Sequence, residues 1–174
     1  NLTRRELLKE AAQMGLLGTM TTSLKEAAPY NLPKKGLIVN ENQHEGTTDW
    51  QLTYVRSKNY RSESIEGYCS HTSISAGEVL DVFVSTASPS KVTIRIYRMG
   101  YYGGKGGRHI TSLGPFDVQP QPTPPVGEHR LRECRWKSTV KIKIPKEWVS
   151  GVYLGKLSCD THRYESYIIF VVKD

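Results

Sequence analysis

Period-two alternation of apolar and polar residues is the feature that most limits what this chain can fold into. The run "EVLDVFVS" puts Leu80, Val82 and Val84 on one face. In "KVTIRIY", Val92, Ile94 and Ile96 point one way while Lys91, Thr93 and Arg95 point the other. "VKIKIP" sets Val140, Ile142 and Ile144 against two lysines. A strand turns successive side chains to opposite faces, so such runs read as strands with one face buried and one wet. "SYIIFVV" is apolar on both faces and is expected centrally, covered on both sides. "GLIV", "WQLTYVR", "RHITSL" and "VYLGKLS" are weaker strand candidates. Turn segments "SAGE", "SASPS", "PQPTPP" and "VSG" separate the runs, and no helical pattern falls among them. About eight short strands in this arrangement predict an all-β chain, an antiparallel β-sandwich of immunoglobulin or fibronectin type. The sandwich is expected over residues 31–174. Trp136 and Trp148 would pack its core or rim, and the proline-rich residues 119–127 read as a stiff loop across one end.

The first thirty residues have a different pattern. Thr3 and Glu6 stand at capping-box spacing, and Leu7, Leu8, Ala11 and Leu16 lie on an apolar helical stripe, predicting an amphipathic helical extension over residues 1–30. The same stretch carries "TRRELLK" followed by "AAQMGLLGTM", which resembles the bacterial twin-arginine export motif with Leu7 where that motif usually carries Phe. Export across the bacterial cytoplasmic membrane, to the periplasm or an equivalent compartment, is the expectation. The cut region "EAAPY" is poor, with Glu26 or Lys25 where a small residue is wanted, so the segment is expected to be retained. No run approaches eighteen apolar residues, which argues against a membrane-spanning helix.

Residues 97–108, "YRMGYYGGKGGR", invite a chemical reading. A phosphate loop of G-x-x-x-x-G-K-S/T type would need glycine at Met99 and a hydroxyl at Gly106. A dinucleotide fingerprint starting at Gly104 would need glycine at His109. Tyrosines among cations could stack nucleic-acid bases, yet nothing extends the stretch into a basic groove, and Lys and Arg exceed Asp and Glu only by 24 to 17. Nucleic acid is therefore not an expected partner. A glycine-rich turn between two strands, allowing positive backbone angles, fits better. Cys69, Cys134 and Cys159 lack C-x-x-C spacing, and no histidine stands in a zinc-protease context, so no metal or cofactor is expected from spacing. Three cysteines would permit one disulfide, with the pairing open.

In order along the chain, "GTTDWQLT", "IEGYCSHTSISAGE", "VFVST", "IYRMGYYGGKGGR", "LGPF", "RLRECRW" and "IPKEWVSGVYLGKL" resemble the N-terminal β-sandwich region of N,N-dimethylformamidase large (beta) subunit-like proteins. The resemblance covers residues 46–174. It implies relatives that are iron-dependent amide hydrolases, whose tyrosine and carboxylate metal ligands lie in a following α/β domain. None of the motifs matched here is that metal site, so no catalytic residue is assigned. Three functions follow as expectations. The first is a non-catalytic interaction and assembly subunit of an exported complex, bound to other protein subunits or to itself, with Leu7, Leu8, Ala11, Leu16, Tyr101, Tyr102 and Arg108 as interface candidates. The second is an accessory front domain of a longer iron-dependent amide hydrolase. The third is a carbohydrate or ligand module displaying Tyr101, Tyr102 and Trp136.

Overall fold

In the computed structural model, residues 36–55 and 61–173 are described. The expected N-terminal helix, with Leu7, Leu8, Ala11 and Leu16, lies outside them. The described chain forms one short helix and eight strands. They run α1 (Leu37–Glu41), β1 (Ile65–Cys69), β2 (Ser73–Ser75), β3 (Val79–Thr86), β4 (Ser90–Met99), β5 (Gly107–Val118), β6 (Val140–Lys143), β7 (Gly151–Cys159) and β8 (Glu165–Lys173).

The alternating runs become strands whose apolar faces meet. A three-stranded sheet of order β1-β3-β6 packs on a five-stranded sheet of order β2-β8-β7-β4-β5. Leu80, Val82 and Val84 of β3 and Val92, Ile94 and Ile96 of β4 have no exposed surface, and Leu157, Ile168 and Phe170 complete the interior between the sheets. Burying a side chain of this size stabilises the fold by about 1.5–3 kcal/mol. The pairing is antiparallel except where β2 runs parallel to β8. At one end of the core, Trp148 stacks on Tyr153 (4.8 Å between centroids), which stacks on Phe170 at 5.6 Å.

Three expectations change in the structure. "GLIV" supplies helix α1 rather than a strand: Gly36 is extended, and the chain then turns, with Asn40 N–H reaching the Gly36 carbonyl. "WQLTYVR" is not a strand where it is described but part of an irregular strap on the five-stranded sheet, entered through a bridge from Thr47 to Gly107 and met by Glu165 N–H at the Tyr54 carbonyl (2.8 Å). β8 is internal to its sheet, with its inner face covered and its outer face bare toward the end of the strand. Ile168, Phe170 and Val172 are buried, while Ile169 and Val171 keep 58% and 36% of their surface exposed.

The proline-rich connection closes on itself at its neck. Gln121 donates to the Lys137 carbonyl at 2.8 Å and accepts from Lys137 N–H at 3.2 Å. Just inside, the Trp136 indole donates to the Pro122 carbonyl at 2.9 Å. Between these ties the chain makes a tight turn at Glu128–Arg130, with His129 and Arg130 both at positive φ (53° and 62°).

Candidate functional site

Residues 97–108 form the hairpin that joins β4 to β5, with Arg98 opposite Arg108 and Met99 opposite Gly107. Its tip is a tight turn at Tyr102–Gly104 in which Gly103, Gly104 and Gly106 take positive φ, the conformation only glycine adopts without cost. The two tyrosines part company at this tip. Tyr101 is 72% exposed and Tyr102 is 1% exposed.

Tyr102 enters a buried polar network that ties the hairpin to α1. Its hydroxyl donates to Glu41 Oε1 at 2.8 Å and accepts from Arg98 Nη1 at 2.9 Å. Arg108 Nη1 donates to both Glu41 oxygens, at 2.8 and 3.0 Å. Arg98 also reaches the carbonyls of Val149 (3.3 Å) and Ser150 (2.7 Å), which binds the turn before β7 into the same cluster. Burial acts to raise the Glu41 pKa. The hydrogen bonds from Arg108 and Tyr102, with the charges of Arg108 and Arg98, outweigh it and hold the carboxyl below its ordinary range. Burial pushes the Tyr102 phenol up, so it stays protonated and can donate.

Beyond α1 the chain wraps around the hairpin onto the outer face of the five-stranded sheet. Gly46 makes the first close approach: a Cβ there would lie 2.6 Å from Tyr102 Cβ and 2.7 Å from Lys105 Cβ. Trp50 then lies on the hairpin backbone, where a Cβ on Gly107 would meet its ring at 2.7 Å, and its indole donates to the Lys105 carbonyl at 3.0 Å. Lys156, within the weaker strand candidate "VYLGKLS", is 4% exposed beneath the strap. Its ammonium donates to the carbonyls of Asp49 (3.0 Å) and Gln51 (2.8 Å) and pairs with Glu165 at 2.9 Å. Glu165 in turn accepts from Thr53 N–H at 2.8 Å, and Tyr167 OH donates to the Trp50 carbonyl. A buried ammonium must have all its donors met, and here strap carbonyls meet two of them.

The groups that could suggest catalysis are engaged in other ways. Cys159 Sγ lies 3.4 Å from His162 Nδ1 and 3.2 Å from Nε2. Such near-equal distances place the sulfur over the ring rather than on an N–H axis. Nδ1 accepts from Tyr164 N–H at 3.1 Å, which leaves Nε2 to donate to the Ser64 carbonyl at 3.1 Å. The ring therefore has no in-plane nitrogen left to act as base toward the thiol. Ser70 Oγ stands 3.0 Å from His71 Nδ1, but Asp81 is held by Ser138 and Lys141, so no triad forms. Burial pushes the Cys69 thiol up to about 12, and all three cysteines are unpaired. Among the described residues no three His, Cys, Asp or Glu side chains cluster closely enough to hold a metal. No helix among them is long and apolar enough to cross a membrane.

Of the interface candidates, Arg108 is partly exposed and ion-paired to Glu41, Tyr101 is free at the tip with its N–H on Asn42 Oδ1 at 2.7 Å, and Tyr102 is interior. Trp136 is 8% exposed and packs on Tyr68 away from the hairpin, so the three aromatic residues do not make one platform. Sequence reasoning missed an apolar patch of paired residues on the outer face, Val152 beside Val171 and Leu154 beside Ile169. Val152 is 42% exposed and Leu154 8%. The two-faced apolar character of "SYIIFVV" was its signal. Leu37, Ile38 and Val39 of α1 are exposed as well.

No curated protein matches the chain. Residues 93–174, from within β4 to the end of the sequence, match the family described as "N,N-dimethylformamidase beta subunit-like, C-terminal". That description assigns the matched region to the C-terminal part, whereas the motif resemblance pointed to the front β-sandwich; the family is common to both. It is thus the part of the chain from β4 onward, with the strap's lysine and the bare patch, that is similar to the N,N-dimethylformamidase beta subunit-like family.

Proposed function

We propose that the chain is a non-catalytic interaction and assembly module of an exported protein complex, with other protein subunits, or further copies of itself, as partners. The observation that carries this reading is the outer face of β7 and β8, where Val152, Ile169 and Val171 stand in adjacent register and remain in contact with water. Contiguous apolar side chains on an otherwise polar sheet face mark a surface that another protein covers. The catalysis-like pairs are structural by contrast, as the Cys159–His162 geometry illustrates.

Ile169→Lys with Val171→Lys places two charges on the patch while leaving the inward Ile168, Phe170 and Val172 untouched. Native mass spectrometry of protein isolated from its source should show the wild-type chain bound to other subunits, and the double variant released from them with its circular dichroism unchanged. A complex that survives the double variant would sink the proposal. Export is checked by cell fractionation. Arg4→Lys with Arg5→Lys should keep the chain in the cytoplasm, and unaltered export would remove that part of the reading. A second reading, accessory domain of a longer iron-dependent amide hydrolase, is favoured by the family that residues 93–174 match. Iron and amide hydrolysis in a longer form carrying this sequence would favour it over the first.

A further inference from the structure

The connection between β7 and β8, residues 160–164, is fastened at three points. At its start Asp160 is fixed to β4, its N–H on the Lys91 carbonyl at 3.1 Å and its Oδ1 accepting the Lys91 N–H at 2.9 Å. At its centre His162 Nε2 donates to the Ser64 carbonyl at 3.1 Å, an oxygen that also accepts the Ala87 N–H at 3.2 Å. Ser64 lies just before β1, so this one ring clips the end of the three-stranded sheet to the five-stranded one. At its far side the connection carries the strap. Glu165 N–H donates to the Tyr54 carbonyl at 2.8 Å, and the Glu165 carboxylate accepts the Thr53 N–H at 2.8 Å. The Arg163 guanidinium lies 4.4 Å over the Tyr54 ring. The strap's last anchors are therefore the residues that directly follow His162.

A neutral imidazole has one donor and one acceptor, and backbone groups use both here: Nδ1 accepts the Tyr164 N–H at 3.1 Å. An imidazolium has two donors and no acceptor. The geometry points to His162 as an acid-sensitive latch for the strap: a proton on Nδ1 sets it against the Tyr164 N–H, and displacing residues 163–165 loosens their hold on Thr53 and Tyr54. The latched form binds one proton fewer than the open form, so the closed fraction falls as pH falls. The groups around the ring do not cancel this. From β7 the Cys159 sulfur sits over its face, and the Tyr164 ring tilts against it at 5.3 Å. Among its charged neighbours, Asp160 is tied to the Lys91 backbone and Arg163 to Tyr54, while Glu63 precedes Ser64 in the chain. None of them supplies the acceptor that the Tyr164 N–H loses. The latch stands whether or not the chain assembles with partners.

The test is NMR on the full chain between about pH 8 and about 5.5, the interval in which histidine changes charge while ordinary carboxylates stay ionised. The His162 ring nitrogens should titrate in step with the Tyr164 amide. Exchange of the Glu165 amide, corrected for the intrinsic effect of pH, should quicken at least about tenfold on acidification, and the Thr53 amide should follow. His162→Gln keeps an acceptor for Tyr164 and a donor for Ser64 but takes up no proton, so it should hold the strap at both ends of the range. Glu41→Gln, which acts at the other end of the strap's path, should leave the response intact, as should Cys159→Ala. Corrected exchange at Glu165 that does not change with pH would overturn the latch. So would an undiminished response in His162→Gln, and a response lost in Cys159→Ala would assign it to the thiol instead.

Discussion

Two connections leave the same edge strand and could hardly be built more differently. The β4–β5 hairpin before β5 places glycine at three of its four positive-φ positions, 103, 104 and 106, and the buried Tyr102 (φ 39°) at the other. The missing side chains at Gly106 and Gly107 let the Trp50 ring lie against the backbone, while Gly103 and Gly104 serve the turn alone, a Cβ there meeting nothing within 4 Å. The connection after β5 is stiffened by prolines instead, and its positive-φ residues are His129 and Arg130. Left-handed backbone at such residues costs roughly 1–2 kcal/mol each. Proline limits the conformations available to the chain, and the ties to the rest of the protein come from other residues of the connection, Thr123 to Arg61 and Gln121 to Ser85. Glycine does the opposite: it is loose in isolation and becomes a fixed joint once something packs on it.

The contrast can be broken from the hairpin side first. Arg98→Met removes four donor contacts, to Tyr102 and to three carbonyls, so a loss of about 3 kcal/mol is expected in urea unfolding. Gly46→Ala forces a methyl between Tyr102 and Lys105 and should cost about 1–3 kcal/mol, with faster amide exchange across residues 37–51 but not across the proline-rich loop. Tyr102→Phe deletes the hydroxyl bridge between Glu41 and Arg98 for about 1–2 kcal/mol. Acid acts on the same joint. Because the folded Glu41 carboxyl lies below its ordinary range, the stability it contributes is complete above its unfolded pKa and is lost as pH falls through the folded value. Amide exchange in α1 should therefore rise on acidification, and Glu41→Gln should remove that dependence. In the proline-rich loop, His129→Gly should have the smallest effect, a gain of a few tenths to about 1 kcal/mol as a strained angle relaxes. A loss there would mean the loop is as tightly held as the hairpin.

The sandwich was readable because each buried strand carries its own evidence, as Val92, Ile94 and Ile96 do against Lys91, Thr93 and Arg95. The strap was not readable for the converse reason. Its anchors are backbone carbonyls at Asp49, Trp50 and Gln51, which every residue has, and they are met by Lys156 and Tyr167 more than a hundred positions away. A lysine in an alternating run is ordinarily wet, and only the three-dimensional cover turns Lys156 into a buried post. The hairpin was half legible. Its glycines announced a turn, but nothing nearby in sequence showed that Tyr102 and Arg108 would reach back to Glu41. The bare patch was expected as a covered strand face, and the pattern of "SYIIFVV" holds equally for a face awaiting a partner.

The strap also sets an order of events during synthesis. Residues 47–54 leave the ribosome well before Lys156, Glu165 and Tyr167, the side chains that fasten them. The nascent chain can seat Trp50 on the β4–β5 hairpin once that is made, but the carbonyls of Asp49, Trp50 and Gln51 wait for Lys156 and Tyr167, and the Thr53 N–H for Glu165, until β7 and β8 follow. Such long-range closure is slow relative to local hairpin formation. The first strand of the sandwich can pair while the outer face of the second sheet still lacks its belt, and the last nine-residue strand is what buckles it.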